Sequence, residues 1–294
     1  FAGATAYTSV AILAPTATPQ LARAVRGAWR LGALVMPPGG APWQAASTRA
    51  WPRGPTLGEV VHIAKGAGTS ADRVFVLPAA IVDGDLVRAT VDGAAVVVEL
   101  TATRPCLRGR DVGAATSPRA IVPYDVDGAP IEAAVLARRW PRAAAWLRGH
   151  QATLAARDRG AGSAIHYGRP QNLALHLGPT PRVVVPDVVA TPRAVLAPGG
   201  TLIIDSAYGL YPRGDSPLAA PEVLLALVRC GVVAAWLDEH AAVLRGGYRR
   251  MKTAVLAPLP RCAPATRHAP NARCDAPTGG TAEGRRARSP ARPA

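Results

Sequence analysis

The sequence predicts an α+β fold: a hairpin-rich mixed module with two packing helices. Three observations lead there. Asp83-Gly84, Asp92-Gly93 and Asp127-Gly128 each fall between apolar runs, and Asp-Gly supplies the positive φ angles of tight hairpins. Two stretches carry helical periodicity, one opened by Pro141 and one opened by Pro221. The remaining apolar runs are short and β-branched, as in Arg182–Val189.

Taken in chain order, residues 4–14 read as one buried strand and Gln20–Arg30 as a short amphipathic helix. The Pro/Gly-rich stretch 37–55 reads as a linker. Glu59–Ile63 and Arg73–Leu77 are expected as strands, joined through a turn at Lys65-Gly66-Ala67-Gly68-Thr69. A helix begins at Pro141, where the missing N–H costs nothing. Trp146, Leu147, His150 and Leu154 share one of its faces, with His150 expected as a packed core residue, and Gly160 can stop it. Arg182–Val189 and Thr201–Ile204 read as strands. A second long helix, from about Pro221 to Arg245, carries Leu224, Leu225, Leu227, Val228, Val232 and Trp236, and Gly246-Gly247 ends it. Thr253–Pro260 is a last extended segment. Residues 261–294 are Pro/Arg/Ala-rich without periodicity and read as a disordered tail.

Composition narrows the function. The chain has 294 residues, 49% of them hydrophobic, which excludes a disulfide mini-scaffold and a mostly disordered chain. Its net charge is +15. Only Lys65 and Lys252 are lysines. GC-rich coding accounts for arginine over lysine but not for base over acid. Without the tail the charge is still about +10. Such a balance favours a polyanionic partner. No apolar run is long enough for a transmembrane helix, and no basic segment precedes Ser9–Ala14 as in a signal peptide. Cys106, Cys230, Cys262 and Cys274 form neither C-x-x-C nor a zinc spacing. A cytoplasmic location and no metal are therefore expected. The chain begins at Phe1 and reads as a piece of a longer protein.

Motifs for catalysis are missing: no P-loop, nucleophile elbow, H-E-x-x-H or G-x-G-x-x-G. Phe1-Ala2-Gly3-Ala4-Thr5 only approaches the F-x-G-x-G loop that holds S-adenosylmethionine. Ile121-Val122-Pro123-Tyr124 lacks the amide or carboxylate of (Asn/Asp)-Pro-Pro-Tyr. Asp187, Asp205, Asp215, Asp238 and Glu239 show no acid–base spacing, and the last two read as a solvated helix face.

Three segments carry binding chemistry. Arg104, Arg108 and Arg110 close as Arg108-Gly109-Arg110-Asp111, where a guanidinium can grip phosphate or read guanine and the acid can hold it. The plain alternative is an exposed turn with ordinary ion pairs. Gly246-Gly247-Tyr248-Arg249-Arg250-Met251-Lys252 joins close backbone approach, a stacking ring and cations; otherwise it is a glycine-capped helix end. The backbone amides of Lys65–Thr69 can line a phosphate, or form a simple turn.

In order, these blocks resemble the C-terminal part of amino-type adenine-specific DNA methyltransferases, the TaqI-like specificity domain of restriction-modification systems. The blocks are Leu57-Gly58-Glu59-Val60 through Gly66-Ala67-Gly68-Thr69 with Val74-Phe75-Val76, Leu107–Asp111, and Ile121–Asp125. Trp140-Pro141 through Trp146-Leu147 with Leu154 and Arg157 follows, then Val183–Asp187, Leu224–Trp236, Gly246-Gly247-Tyr248 and Pro258-Leu259-Pro260. The resemblance covers roughly residues 55–260. It implies residues 1–36 as a remnant of a Rossmann-like methyltransferase domain ending in its last strand, 37–55 as linker, 56–260 as a DNA target-recognition domain and 261–294 as tail. It implies that S-adenosylmethionine and the catalytic motif belong to an upstream domain, with no catalytic or cofactor residue here. Double-stranded DNA is the expected partner, with a nuclease domain or subunit an open addition and no membrane. The expected DNA contacts are Lys65, Thr69, Arg108, Arg110, Asp111, Tyr124, Tyr248, Arg249 and Lys252. The alternative is a stand-alone basic DNA- or RNA-binding module without catalysis.

Overall fold

The structure, a computed structural model, describes residues 51–115, 118–157, 165–214 and 220–260. It also gives the backbone of strands Ser9–Ile12, Gln20–Val25, Ala28–Val35 and Gln44–Ala45. The Phe1–Thr5 segment and the tail from 261 lie outside the described residues. The architecture is α+β, with several small sheets and short helices.

The four N-terminal strands form one antiparallel sheet in sequence order. The helix expected over Gln20–Arg30 is instead a hairpin, Gln20–Val25 against Ala28–Val35. Pairing with a partner strand decides such a segment, because propensity alone is a weak prior.

Two four-stranded sheets organise the rest. One has the order Leu202–Ile203, Thr103–Leu107, Arg119–Ile121, Val76–Leu77, with a parallel join between the first two strands. The other is antiparallel, in the order Val195–Ala197, Arg182–Pro186, Ala207–Pro212, Val61–Lys65. The Arg182–Val189 run divides at Asp187, whose far side, Val188–Val189, pairs with Arg249–Arg250.

The Asp-Gly turns fall where the sequence places them. Asp83-Gly84 joins Ile81–Asp83 to Leu86–Val91. Asp92-Gly93 joins that strand to Ala94–Glu99, with positive φ at both turn residues (49° and 84°). Gly128 (φ 84°) closes a turn whose flanks bridge Tyr124 and Pro130.

The helices are more broken than their periodicity predicts. A helix not foreseen, Ala133–Arg139, precedes Pro141–Gly149 and Gln151–Ala155. The Glu99 carboxylate accepts the Arg142 and Ala143 amides (2.8 and 3.1 Å), so the open end of the Pro141 helix is capped from a distant strand. Leu147 and Leu154 are buried, whereas His150 is half-buried against Trp146 and is not a full core residue. The C-terminal helix divides into Pro221–Arg229 and Gly231–His240, with Cys230 extended between them. Glu239 accepts the Trp51 indole N–H (2.8 Å) and Asp238 faces Arg249, so the pair is not a merely solvated face.

Three expected extended segments turn out to be helical at one end. Leu57–Val60 is a helical turn before strand Val61–Lys65. Asp72–Phe75 is helical and only Val76–Leu77 is strand. There the Thr69 hydroxyl accepts the Ala71 amide (3.1 Å) and bonds Asp72. Such local side-chain bonds compete with a ladder. Thr253–Leu256 is likewise a helix.

One core surrounds Phe75, Val98, Ile121, Leu147 and Leu154, and another surrounds Leu57, Val183, Leu210, Trp236 and Leu256. Leu107, Val184, Ile203 and Tyr211 belong to a third, smaller cluster.

Candidate functional site

A cleft of about 510 Å³ opens among Lys65, Thr69, Asp72, Arg169, Asp205 and Arg250. Its floor is built from chain segments that sequence reading kept apart. The segment after Lys65 is not a free turn. Gly66, Ala67 and Gly68 donate their amides to the Ala207, Ile203 and Arg169 carbonyls (3.0, 2.8 and 2.8 Å). Those three amides are taken within the fold rather than open to a phosphate. Gly66 is required by closeness: a Cβ there would stand 2.3 Å from the Ile204 carbonyl oxygen.

Side chains from the Gln171–His176 stretch hold the same segment from below. Gln171 donates to Gly66 O (2.7 Å) and Asn172 to Lys65 O (2.9 Å). His176 Nε2 also meets Lys65 O (3.0 Å) while its Nδ1 meets the Tyr211 hydroxyl (2.5 Å). A carbonyl can only accept, so Nε2 carries the proton and Nδ1 accepts from Tyr211. Burial pulls His176 down to about 4, so it is neutral near pH 7. Beneath lies Arg182, fully buried and bonded to the Leu175, His176, Pro198 and Thr201 carbonyls, with its guanidinium over the Tyr211 ring.

Each charged side chain named here is bonded to an opposite charge or to a neighbouring hydroxyl. Lys65 Nζ lies 2.7 Å from Asp205 Oδ1, and Arg169 Nη2 lies 2.9 Å from Oδ2. Arg250 binds Asp187 through Nε (3.0 Å) and Nη2. Asp72 accepts the Thr69 hydroxyl. Three cations thus face three carboxylates across the lining. A charge-balanced, polar cleft suits uncharged groups rich in donors and acceptors, because a phosphate would meet carboxylates there.

Beside the cleft sits the Arg108–Asp111 turn. Gly109 donates to the Ser206 hydroxyl (2.9 Å), and its carbonyl accepts from Arg193 (3.1 Å). A side chain at 109 would strike the Ser206 carbonyl, since a Cβ would lie 2.3 Å away. The turn is therefore locked to the cleft wall, with Arg110 and Arg193 exposed on it.

The structure brings some of the expected contacts together and turns others inward. Lys65 and Thr69 line the cleft. Arg110 and Asp111 stand on the adjoining turn. Arg108 is 9% exposed and closed on Asp111 by Nε (2.7 Å) and Nη2 (3.0 Å), a bond that shifts the guanidinium further up. Tyr124 is a core residue: its hydroxyl accepts the Tyr167 amide (2.7 Å), and burial pushes it up to about 12. Arg249 is buried, near Asp238 and bonded to the Gly247 carbonyl (2.8 Å). These three expected DNA contacts have their side chains engaged within the fold. Tyr248 and Lys252 are exposed, on either side of Arg249–Arg250.

Sequence reading missed Arg169, Arg193 and Ser206, and it gave Asp187 and Asp205 no role. The Arg169–Asp205 pair spans 36 positions, so no local spacing could have shown it.

Among the described residues, no group of His, Cys, Asp and Glu could hold a metal ion. No helix among them is long and apolar enough to cross a membrane. The lining of the cleft does not fit S-adenosylmethionine. The cleft offers no aromatic ring, and its side chains are occupied with one another.

No family model matches the chain, and no curated protein matches it. Among solved structures it is similar to a Type IIL restriction-modification enzyme, MmeI, in complex with DNA. The TM-score is 0.45 and the identity 13%, over 70% of this chain and 25% of that one. The chain thus spans about a quarter of the length of the enzyme it matches.

Proposed function

We propose that this chain is the sequence-specific DNA-recognition region of an adenine-specific DNA methyltransferase from a restriction-modification system. The observation that supports the reading is the meeting, at one cleft and its wall, of the three segments that the sequence singles out for binding chemistry. The Lys65–Thr69 segment and Arg250 line one cleft, and the Arg108–Asp111 turn is bonded to its wall through Ser206. The Lys65–Thr69 and Arg108–Asp111 segments lie in blocks of the resemblance to the TaqI-like specificity domain, and Arg250 follows its Gly246-Gly247-Tyr248 block. The net charge of +15 supports a polyanionic partner.

In this reading the face clamps duplex DNA. Exposed cations contact phosphates, and polar groups in the cleft meet base edges. Methyl transfer from S-adenosylmethionine to the adenine amino group is done by an upstream domain; a fused or separate nuclease is compatible with it. The protein works in the cytoplasm, where the DNA is.

Equilibrium binding of the full chain to duplex DNA across a salt series tests it. For ~6 phosphates neutralised, log affinity should fall with a slope of about −5 against log salt. Absence of binding, or binding with no salt dependence, ends the reading. For the enzyme part, the frame upstream of the Phe1 codon should encode F-x-G-x-G and (Asn/Asp)-Pro-Pro-(Tyr/Phe). A frame without them leaves a DNA-binding module without catalysis.

A further inference from the structure

We infer that Arg169 is a specificity-determining residue of this face and that it reads guanine, with the phosphates left to exposed arginines such as Arg110 and Arg193. The inference deepens the DNA-recognition reading and rests on it.

Arg169 is fixed three ways. Its backbone exchanges two hydrogen bonds with Gly68 (2.8 and 2.9 Å). Its side chain lies across Gly68, where a Cβ would stand 3.1 Å from Nε. Its Nη2 is bonded to Asp205, which is itself held by Lys65 and by its own amide on the Ala67 carbonyl (3.0 Å). The ion pair is 44% and 26% exposed, and pairs this open contribute little to stability. The effect of the arrangement is orientation. A guanidinium already held in place loses less freedom on binding.

The surroundings favour a base over a phosphate. Asp72, Asp187 and Asp205 offset the three cations of the cleft, which leaves no net positive charge there to draw in a phosphate. A guanine edge presents two neutral acceptors, O6 and N7, at the spacing of the guanidinium fork. Only one N–H of Arg169 is directed to Asp205.

The test is selection of the full chain, and of its Arg169→Lys variant, on a random-sequence duplex library, followed by salt titration on selected and scrambled duplexes. Arg169→Lys keeps the charge and removes the fork. The wild type should select a site containing guanine. The variant should lose discrimination at one guanine, by about 10- to 100-fold, with the other positions and the salt slope unchanged. Asp205→Asn, which keeps the shape and weakens the hold on Arg169, should blur the same position. An unchanged consensus in both variants, or an equal loss on selected and scrambled duplexes, overturns the inference. A wild type that binds duplex but selects no site overturns the sequence-specific reading itself, and this inference with it.

Discussion

Two polar regions meet at Lys65 and differ in almost every respect. Below, Arg182, Tyr211 and His176 form an enclosed network with no carboxylate. A charged guanidinium is held there by backbone carbonyls, and its Nε has no hydrogen-bond partner. Above, Arg169, Lys65 and Arg250 are partly exposed and matched to carboxylates. The lower region binds the Lys65 carbonyl; the upper region uses the Lys65 ammonium. Burial, not charge, decides the role of each group. A buried ionic group fixes the fold because removing a partner leaves others unsatisfied. A half-exposed pair adds little stability and serves to aim a side chain.

The strongest way to break this contrast is Arg182→Ala. Four bonded carbonyls lose their donor and a cavity opens, so urea unfolding should show a loss of about 3–5 kcal/mol. A loss below 1 kcal/mol would remove Arg182 from the fold-holding region.

The next effect is pH-dependent. His176 titrates near its ordinary 6.5 when unfolded and at about 4 when folded. Burial is the main cause, with Arg182 and His62 adding repulsion and the Lys65 carbonyl opposing it. Between those values the unfolded state takes up a proton that the folded state refuses. This contribution is thus complete above about pH 6.5 and lost progressively as the pH falls to about 4, by about 3 kcal/mol in all. Stability measured from pH 7 to 5, above most carboxylate titration, should slope downward, and His176→Gln should flatten that slope. Equal slopes would contradict it.

Tyr211→Phe removes one hydroxyl donor from His176 and keeps the ring over which Arg182 sits. A loss of about 1–2 kcal/mol is expected by urea unfolding. On the upper side, Asp205→Asn should change stability by less than about 1 kcal/mol, although it holds two cations. A larger loss would make the upper region structural as well. Smallest is Arg110→Ala: stability within about 0.5 kcal/mol, with the duplex-binding salt slope shallower by about 1. An unchanged slope would move the phosphate contacts elsewhere.

Legibility in the sequence followed the range of the interactions. The Asp-Gly hairpins were readable because the turn chemistry sits inside the turn. The Asp72–Phe75 helix was not, because Val74, Phe75, Val76 and Leu77 make a run that suits a strand equally well. For the site, the sequence marked Lys65, Thr69, Arg110 and Asp111, which stand in or beside the cleft. It also marked Arg108, Tyr124 and Arg249, which the fold turns inward onto Asp111, Tyr167 and the Gly247 carbonyl.

The amino-acid order by itself determined the α+β composition, the hairpin turns and the excess of positive charge. Each depends on residue type or on neighbours a few positions apart. Only the tertiary structure decided which arginines are enclosed and which are presented, and that Arg169 meets Asp205. Those outcomes depend on desolvation and on contacts between segments far apart in the chain, and no local pattern encodes them.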